Sequence, residues 1–289
     1  MTNYGLPFAS LENDHLRLDY LTTTGPRIVG LYVSGADGNL LASTPEVHWE
    51  TPHGEFYLRG GHRLWTAPED PFYTCPEEGL RVTKDDEDVI LSSPVDASGM
   101  KKEIAIRLEA NRVHLWHRVT WHGERAVELA PWAITQLRLG GMAILPLSES
   151  GGLQPNRNLV LWPYTQIHDE RLELHEDIVL LHGRKDERAC KIGNRNDHGW
   201  VACALGDALF VKRFGIQEGK LTDLGCNVEA YVKDVCIELE TLGSLETLNP
   251  GESVMHEEVW EVFPGQYPAT LESARRIKMQ LIQTNSNGA

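Results

Sequence analysis

Residues 104–121 read IAIRLEANRVHLWHRVTW, and this stretch decides the fold class. In its first half, isoleucine and leucine alternate with small or charged residues. In its second half, every other residue from Val113 to Trp121 belongs to one face, and Asn111 supplies a turn signal between the halves. A period of two residues is that of a β-strand with one buried face. The stretch therefore predicts two antiparallel strands joined by a turn.

The same alternation recurs along the chain, and turn residues such as glycine, proline and asparagine separate the alternating segments. The further segments are residues 178–181, 200–205, 208–214, 235–242 and 253–263. Many short strands separated by turns are typical of a β-sandwich or barrel. We therefore predict an all-β fold, in the form of a large antiparallel β-sandwich.

Only the C-terminal segment has the spacing of a helix. Thr270 can cap it, and apolar residues from Leu271 to Leu281 recur on one side. We predict a short helix over about residues 270–282 and a frayed tail over residues 283–289. No low-complexity linker or internal repeat interrupts the chain, so residues 1–289 are predicted to form a single domain.

The composition restricts the ligands that the protein can bind. The 289 residues carry a formal net charge of −15 at pH 7. Nucleic acids and anionic membrane surfaces attract Lys/Arg patches, so neither is an expected partner. A neutral small molecule suits this charge better. We expect a monomer or a homodimer.

The cysteines and the N-terminal residues indicate the compartment. The five cysteines are widely spaced and include no Cys-x-x-Cys pair, so neither a disulfide framework nor a zinc site is expected. The first residues lack the basic start and apolar core of a signal peptide. No segment approaches the roughly 20 apolar residues that cross a bilayer. We expect a cytoplasmic protein. The acidic run at residues 84–88 lacks the glycine spacing of a calcium loop and is interpreted as a solvated loop.

The stretch GGHRLWTAPE at residues 60–69 concentrates groups that suit a sugar. Paired glycines allow the backbone to pass close to a neighbour. An aromatic ring can stack on the C–H face of a pyranose, and polar side chains can bond its hydroxyls. We predict that this stretch contributes His62, Arg63, Trp65 and Glu69 to a binding site. The alternative is that His62 and Arg63 bond buried carbonyls at a strand end.

Two carboxylates occupy a predicted strand near the C-terminus. Glu238 and Glu240 are two residues apart, so they share a strand face at about 6–7 Å. Mutual repulsion and burial raise the pKa of at least one of them, as a general base requires. Asn227 and Glu229, in the preceding segment, belong to the same predicted site. The alternative is a solvent-facing strand on which both glutamates pair with Lys or Arg.

Further aromatic and polar residues extend this predicted site. The segments PWAITQ at residues 131–136 and LWPYT at residues 161–165 can supply stacking surfaces or core side chains. Lys191 can hold a carboxylate or a sugar hydroxyl, or it can face solvent. The segment HEEVW at residues 256–260 lacks the second histidine of a zinc motif, and its histidine suits either the core or a ligand contact. The predicted binding residues in these segments are Trp132, Gln136, Trp162, Lys191 and His256.

These segments resemble a known family. The motifs TGPRIVGL at residues 24–31 and GNLL at 38–41 resemble the opening strands of aldose 1-epimerases. The motifs VCIE at 235–238 and LNPGES at 248–253 resemble their C-terminal strand pair. The glycines at 60–61 with the proline at 68 resemble the hexose-6-phosphate mutarotase branch. From about residue 16 to residue 263, the chain resembles a bacterial branch of the galactose-mutarotase-like superfamily, which implies the large sandwich of that superfamily.

The resemblance implies acid–base catalysis at the anomeric carbon of an aldose, without a cofactor or a metal. In that family a glutamate takes the proton of the anomeric hydroxyl, and a histidine protonates the ring oxygen. The glutamate corresponds to Glu238 or Glu240, depending on the register, and a hydroxyl-binding arginine corresponds to Arg63. The family's histidine-bearing strand corresponds to residues 129–134, which contain no histidine. His62 is then the first choice of acid, and His256 is the second.

The expected function is therefore that of an aldose 1-epimerase-like isomerase. One alternative is a carbohydrate-binding protein that retains the cleft and lacks the acid. Another is a different sugar enzyme on the same scaffold, such as a lyase or a glycoside hydrolase, because a fold alone does not decide a function.

Overall fold

The computed structural model describes residues 5–148, 153–216 and 218–286, and two ten-stranded sheets dominate it. The first sheet contains β1 (Phe8–Glu12), β2 (Leu16–Leu21), β3 (Ile28–Val33), β6 (His62–Ala67), β11 (Val127–Leu137), β13 (Val160–Leu161), β16 (Cys190–Asn194), β19 (Val228–Val232), β20 (Ile237–Leu242) and β21 (Glu246–Leu248). The second sheet contains β7 (Arg81–Asp85), β8 (Asp88–Ser92), β9 (Met100–Glu109), β10 (Arg112–Trp121), β12 (Met142–Pro146), β14 (Leu172–Leu174), β15 (Ile178–His182), β17 (Trp200–Ala204), β18 (Gly206–Phe214) and β22 (Ser253–Tyr267). A separate two-stranded hairpin is formed by β4 (Ser43–Thr51) and β5 (Gly54–Gly60).

The strand order shows how distant segments meet. Across the first sheet the order is β1-β2-β3-β6-β11-β20-β19-β16-β13, and β21 pairs with β11. Across the second sheet the order is β14-β15-β12-β17-β18-β22-β10-β9-β8-β7. Neighbouring strands pair in antiparallel fashion, as β9 and β10 do from Glu109 opposite Arg112 to Met100 opposite Trp121. The predicted hairpin at residues 104–121 is confirmed, and so is the all-β sandwich.

The main core lies between the two sheets, because each strand directs alternate side chains towards the other sheet. Burying one leucine or isoleucine side chain contributes roughly 1.5–3 kcal/mol, so this layer supplies most of the driving force for folding. Its fully buried members include Leu18, Ile28, Leu31, Leu137 and Leu239 from the first sheet and Ile104, Ile106, Val113, Phe210 and Val262 from the second.

Helix α1 (Leu271–Ser286) covers part of the outer face of the second sheet. Its buried residues Ala274, Ile277 and Leu281 pack with Trp200 and other apolar side chains of that face. The backbone N–H of Ser273 donates to the Thr270 hydroxyl at 3.2 Å, so Thr270 caps the helix as predicted. Residues 283–286, predicted to be frayed, continue the helix; residues 287–289 lie outside the described residues. None of the described helices is long and apolar enough to span a membrane.

The outer face of the first sheet is covered in part by the β4–β5 hairpin. Phe56 of β5 is buried against Trp65 of β6 and belongs to an apolar cluster with Trp132 and Leu242. This arrangement leaves an open cleft beside the hairpin. In the acidic run, residues 84–85 end β7, residues 86–87 form an exposed turn, and Asp88 begins β8 opposite Asp85.

Candidate functional site

A cleft of about 480 Å³ opens on the outer face of the first sheet. Five adjacent strands, β6, β11, β20, β19 and β16, direct alternate side chains into it. Loops at residues 164, 189 and 233–236 and the β4–β5 hairpin complete its walls. The predicted site residues among its lining are Arg63, Trp65, Glu69, Trp132, Gln136, Lys191 and Glu238.

The strand register explains why these residues share one face. Trp65 of β6 lies opposite Trp132 of β11, and Gln136 of β11 lies opposite Glu238 of β20. Glu240 in turn lies opposite Glu229 of β19. Because directly opposed residues of antiparallel strands point to the same face, the register brings together segments that are distant in sequence.

Glu238 lies at the floor of the cleft. Gln136 Nε2 donates to its Oε1 at 2.6 Å, and Arg63 Nη2 lies 3.5 Å from the same oxygen. The residue is 7% exposed, and it lines the cleft. Burial raises the pKa of the Glu238 carboxyl; the charge of Glu240 adds to this effect, whereas Arg63 opposes it. Glu238 therefore combines access to the cleft with a carboxylate made more basic than usual.

Arg63 and Gln136 retain polar atoms that no described residue engages. Arg63 stacks on the Trp65 ring at 4.3 Å, and its Nε and Nη1 have no hydrogen-bond partner. Gln136 Oε1 likewise has none. Buried polar groups in native proteins are nearly always bonded, so unpaired donors and an acceptor in the wall of a cleft suit a polar ligand.

Lys191 forms the centre of a second, more deeply buried group. Its Nζ lies 2.7 Å from Glu229 Oε2 and 2.9 Å from Glu240 Oε2. It also lies 4.5 Å from the ring centroids of both Trp132 and Trp162. Burial opposes the charged ammonium, but the two carboxylates outweigh it and hold the pKa of Lys191 well above its usual range. Lys191 is therefore a positively charged anchor, and a proton donor near neutral pH has to be another group.

The two glutamates of this group are less accessible than Glu238. Trp132 Nε1 donates to Glu240 Oε2 at 2.7 Å, and both Glu229 and Glu240 are fully buried. Gly193 lies opposite Glu229 and lets Trp162 and Cys226 pack closely against the strand. A Cβ added at Gly193 would lie 3.3 Å from Trp162 and 2.8 Å from the sulfur of Cys226. Trp162 lies beside Lys191 but is not among the residues that line the cleft, and Glu229 and Glu240 lie behind the cleft wall.

The structure corrects the expected position of His62. Arg63 and Trp65 face the cleft, so the alternation of β6 directs His62 to the opposite face, between the two sheets. There His62 is fully buried, its Nε2 lies 2.8 Å from Nε2 of His117, and its ring packs on Trp260. His62 therefore does not line the cleft, and its expected contact with a sugar ring oxygen is wrong.

His256 and Asn227 also lie outside the cleft. His256 Nε2 is 2.7 Å from the Thr241 hydroxyl within the inter-sheet layer, which agrees with the core alternative. Asn227 exchanges two hydrogen bonds with the backbone of Asn196, at 2.7 and 3.0 Å, and so ties down a loop. Both were predicted to bind the substrate. The structure instead assigns them to packing and to loop anchoring.

Sequence reasoning missed several cleft residues. Tyr164 and Tyr231 line one wall, and the two rings meet edge to face with centroids 6.4 Å apart. Both could have been found, because each lies two residues from a predicted site residue. Trp49, Lys233 and Asp234 also line the cleft. Their segments carry no pattern that links them to the other strands.

A second cavity, of about 370 Å³, lies near the base of the hairpin. Glu77 in its lining is paired with Arg27 at 2.6 Å, and Lys102 lies 3.9 Å from Asp96. Its charged groups thus largely satisfy one another. The first cleft, where unpaired polar atoms converge with aromatic faces, is the stronger candidate for a binding site.

No protein-family model matches the sequence, and no curated protein sequence matches it either. Solved structures do match in three dimensions. A galactose mutarotase-like protein from Lactobacillus casei is 11% identical, with a TM-score of 0.59 over 89% of this chain and 100% of its own. A candidate aldose 1-epimerase from Escherichia coli is 12% identical, with a TM-score of 0.56 over 90% and 99%. The chain therefore has the galactose mutarotase-like fold, as the resemblance predicted.

The same fold also occurs as part of a longer chain. A TPR-domain containing protein from Parabacteroides distasonis is 11% identical, with a TM-score of 0.61 over 91% of this chain but only 48% of its own. At such low sequence identities, structural similarity establishes the fold alone, and the residues of the cleft carry the information about function.

Proposed function

We propose that the cleft binds a neutral pyranose sugar and that the protein exchanges its anomers, with Glu238 as the general base. One observation carries the proposal: the Glu238 carboxyl, oriented by Gln136 and Arg63, lines the cleft and has a raised pKa. A carboxylate that is more basic than usual and has access to a ligand is what removal of a hydroxyl proton requires. The occurrence of this fold in proteins described as mutarotase-like agrees with the proposal.

The walls of the cleft suit a sugar ring. Trp65 and Trp132 offer aromatic surface on which the C–H face of a pyranose can stack. Arg63 and Gln136 hold buried polar atoms without partners in the cleft wall, and a shift of these side chains towards a bound ring would let them bond its hydroxyls. Aromatic faces combined with a few convergent polar groups support a sugar over a wholly apolar ligand.

The charges of the cleft favour a neutral sugar over a phosphorylated one. Arg63 and Lys191 are already paired with carboxylates. The rim adds Lys233, but it also adds Asp234 and Glu69. A phosphate would therefore meet Lys233 together with the negative charges of Asp234, Glu69 and Glu238, so its binding gains little and costs free energy where it approaches the carboxylates.

Anomer exchange moves protons without a net change in composition. Glu238 takes the proton of the anomeric hydroxyl, and the bond between the anomeric carbon and the ring oxygen breaks. Its electron pair goes to the ring oxygen, which accepts a proton, and the anomeric carbon becomes an aldehyde carbonyl. Rotation about the adjacent carbon–carbon bond, followed by the reverse steps, closes the ring with either configuration and returns the proton from Glu238.

In this proposal, water supplies the proton to the ring oxygen. No histidine is among the residues that line the cleft within the described chain. Burial raises the pKa values of Tyr164 and Tyr231, and at Lys191 two carboxylates outweigh burial and raise the pKa, so none of these groups changes its protonation between neutral pH and pH 9. The same lack of a histidine favours a second candidate function, in which the protein binds the sugar and does not catalyse exchange.

The binding step is tested by calorimetric titration with glucose, galactose and glucose 6-phosphate. We expect at least one neutral hexose to bind at least about tenfold more tightly than the phosphate, and Gln136→Leu to weaken that binding by about tenfold. Gln154→Leu, at an exposed glutamine outside the cleft, serves as the control. Tighter binding of the phosphate would contradict the charge argument, and no binding of any sugar would contradict the proposed function.

A further inference from the structure

Two rows of aromatic rings lead from the floor of the cleft to its mouth. In one row, Trp132 meets Trp65 with centroids 5.7 Å apart, and Trp65 meets Trp49 at 6.4 Å. In the other row, Tyr231, which lies opposite Glu238, meets Tyr164. All five residues line the same cleft. The aromatic surface thus continues outward from the site of the proposed chemistry.

Exposure rises along these rows. Trp132 and Trp65 are 5% and 9% exposed, whereas Trp49 is 38% and Tyr164 is 47% exposed. The inner rings are held by neighbouring side chains. The outer rings leave much of their surface to solvent, although each is anchored edge to face against an inner ring. Rigid, partly exposed aromatic rings at the mouth of a binding cleft are characteristic of ligand contacts, because they add contact area at a small cost in conformational entropy.

Polar groups accompany the outer rings. Lys233 and Asp234 belong to the loop at the mouth, and Glu69 lies on the rim. Lys233 and Asp234 carry opposite charges, so together they favour neither an anion nor a cation, but they can donate to and accept from hydroxyl groups. Apolar ring faces beside such polar groups match a second pyranose better than an alkyl chain.

We infer that the mouth of the cleft is an outer subsite for a second neutral pyranose, bounded by Trp49 and Tyr164, so that the preferred ligand is a reducing disaccharide. The inference rests on the proposed function. The reducing ring, which carries the free anomeric hydroxyl, lies at the floor beside Glu238. The second ring stacks at the mouth and bonds to Lys233 and Asp234.

The test compares glucose and galactose with the reducing disaccharides maltose, cellobiose and lactose by calorimetric titration. We expect at least one disaccharide to bind at least about tenfold more tightly than its reducing monosaccharide. Tyr164→Ala and Trp49→Ala should each weaken binding of that disaccharide by about tenfold and change monosaccharide binding by less than about twofold. Phe72→Ala, at an equally exposed aromatic residue outside the cleft lining, should change neither affinity.

The outcomes separate this inference from the proposed function. If monosaccharides bind but no disaccharide binds more tightly, the outer subsite does not exist, and the inner site stands. The same conclusion follows if Tyr164→Ala and Trp49→Ala weaken both kinds of ligand equally. If no sugar of either kind binds, the proposed function fails, and the outer subsite fails with it.

Discussion

Glu238 and Glu240 are two residues apart on β20 and face the same way, yet their surroundings give them different roles. The side-chain carboxyl of Glu240 is fully buried and already bonded by Lys191 and Trp132. Glu238 keeps contact with the cleft, and among the described residues Gln136 donates to it and Arg63 makes a longer contact with it. Sequence periodicity alone left both residues as equal choices for the base. The side-chain partners of each residue distinguish the two glutamates, and those partners come from β6, β11 and β16.

The ionisation of Glu238 determines the expected pH dependence of exchange. The base acts only when ionised, and burial raises its pKa above the usual range of a glutamate. We therefore expect the rate of exchange at low sugar concentration to fall as the pH drops through that raised pKa. We expect no further change in the exchange rate between neutral pH and pH 9, because water supplies the proton to the ring oxygen. Exchange kinetics followed by NMR from pH 4 to pH 9 provide the measurement. A bell-shaped profile would instead indicate a protein group as the acid.

The outcome for residues 60–69 shows how far single residues could be predicted. The composition of this stretch correctly indicated Arg63, Trp65 and Glu69 as cleft residues. It failed for His62, because adjacent residues of a strand point to opposite faces and this stretch has polar side chains on both of its faces. Only one of the adjacent residues His62 and Arg63 can face the cleft. The packing of the second sheet against β6 decides which one, and the sequence of this stretch does not contain that information.

At the scale of elements, the inner faces of β6, β10, β18, β20 and β22 share a polar network inside the core. His62 Nε2 lies 2.8 Å from His117 Nε2, and His117 Nδ1 donates to the backbone oxygen of His256 at 3.0 Å. Lys212 lies 2.7 Å from Glu258, and its ammonium also donates to two backbone oxygens of the first sheet. Since buried polar groups are costly unless they are bonded, this network specifies how the two sheets face each other.

The two buried histidines should make the fold sensitive to acid. Burial lowers the pKa of His117 to about 4, and it lowers the pKa of His62 well below its usual value. Nearby Glu258 opposes this shift, whereas Lys212 adds to it. Between pH 6.5 and pH 4 the unfolded chain binds protons that the folded protein does not. The free energy of unfolding therefore decreases as the pH falls through this window, by about 3 kcal/mol for His117 alone.

Urea unfolding at pH 7, 6, 5 and 4.5 measures this effect. His117→Gln keeps a donor and an acceptor but removes the titrating group, so its unfolding free energy should depend less on pH than that of the wild type. Equal pH dependence of the two proteins would contradict a neutral, buried His117.

At the scale of elements, prediction from sequence succeeded for strands with one buried face. The alternating segments became β9, β10, β15, β17, β18, β20 and β22, and the capping threonine and apolar spacing located helix α1. Short or irregular elements gave no such signal. In the β4–β5 hairpin, which supplies Trp49 to the cleft, each strand has only two alternating apolar residues, Val47 and Trp49 in β4 and Phe56 and Leu58 in β5, which is too short a pattern to predict a strand.

At the scale of the whole molecule, the cleft exists because the first sheet brings together five strands from separate parts of the chain. Residues 63, 136, 191 and 238 meet through strand pairing, and no local pattern records which strands are neighbours. The alternation of apolar and polar residues along the strands predicts the sandwich, and the resemblance to mutarotase-like proteins agrees with its topology. The position of the proposed base relative to the sugar-binding residues depends on strand order.

The role of Glu238 as the base is tested most directly by the rate of anomer exchange in the sugar that binds most tightly, measured by NMR exchange spectroscopy with the wild type and with Glu238→Gln. Glutamine keeps the shape of the side chain and removes its ability to accept a proton. We expect the wild type to accelerate exchange and Glu238→Gln to lose about 10²–10⁴-fold of the rate, with a much smaller change in affinity. Wild-type exchange rates in Glu238→Gln would contradict the role of Glu238. A wild type that binds the sugar and leaves its exchange rate unchanged would contradict catalysis altogether.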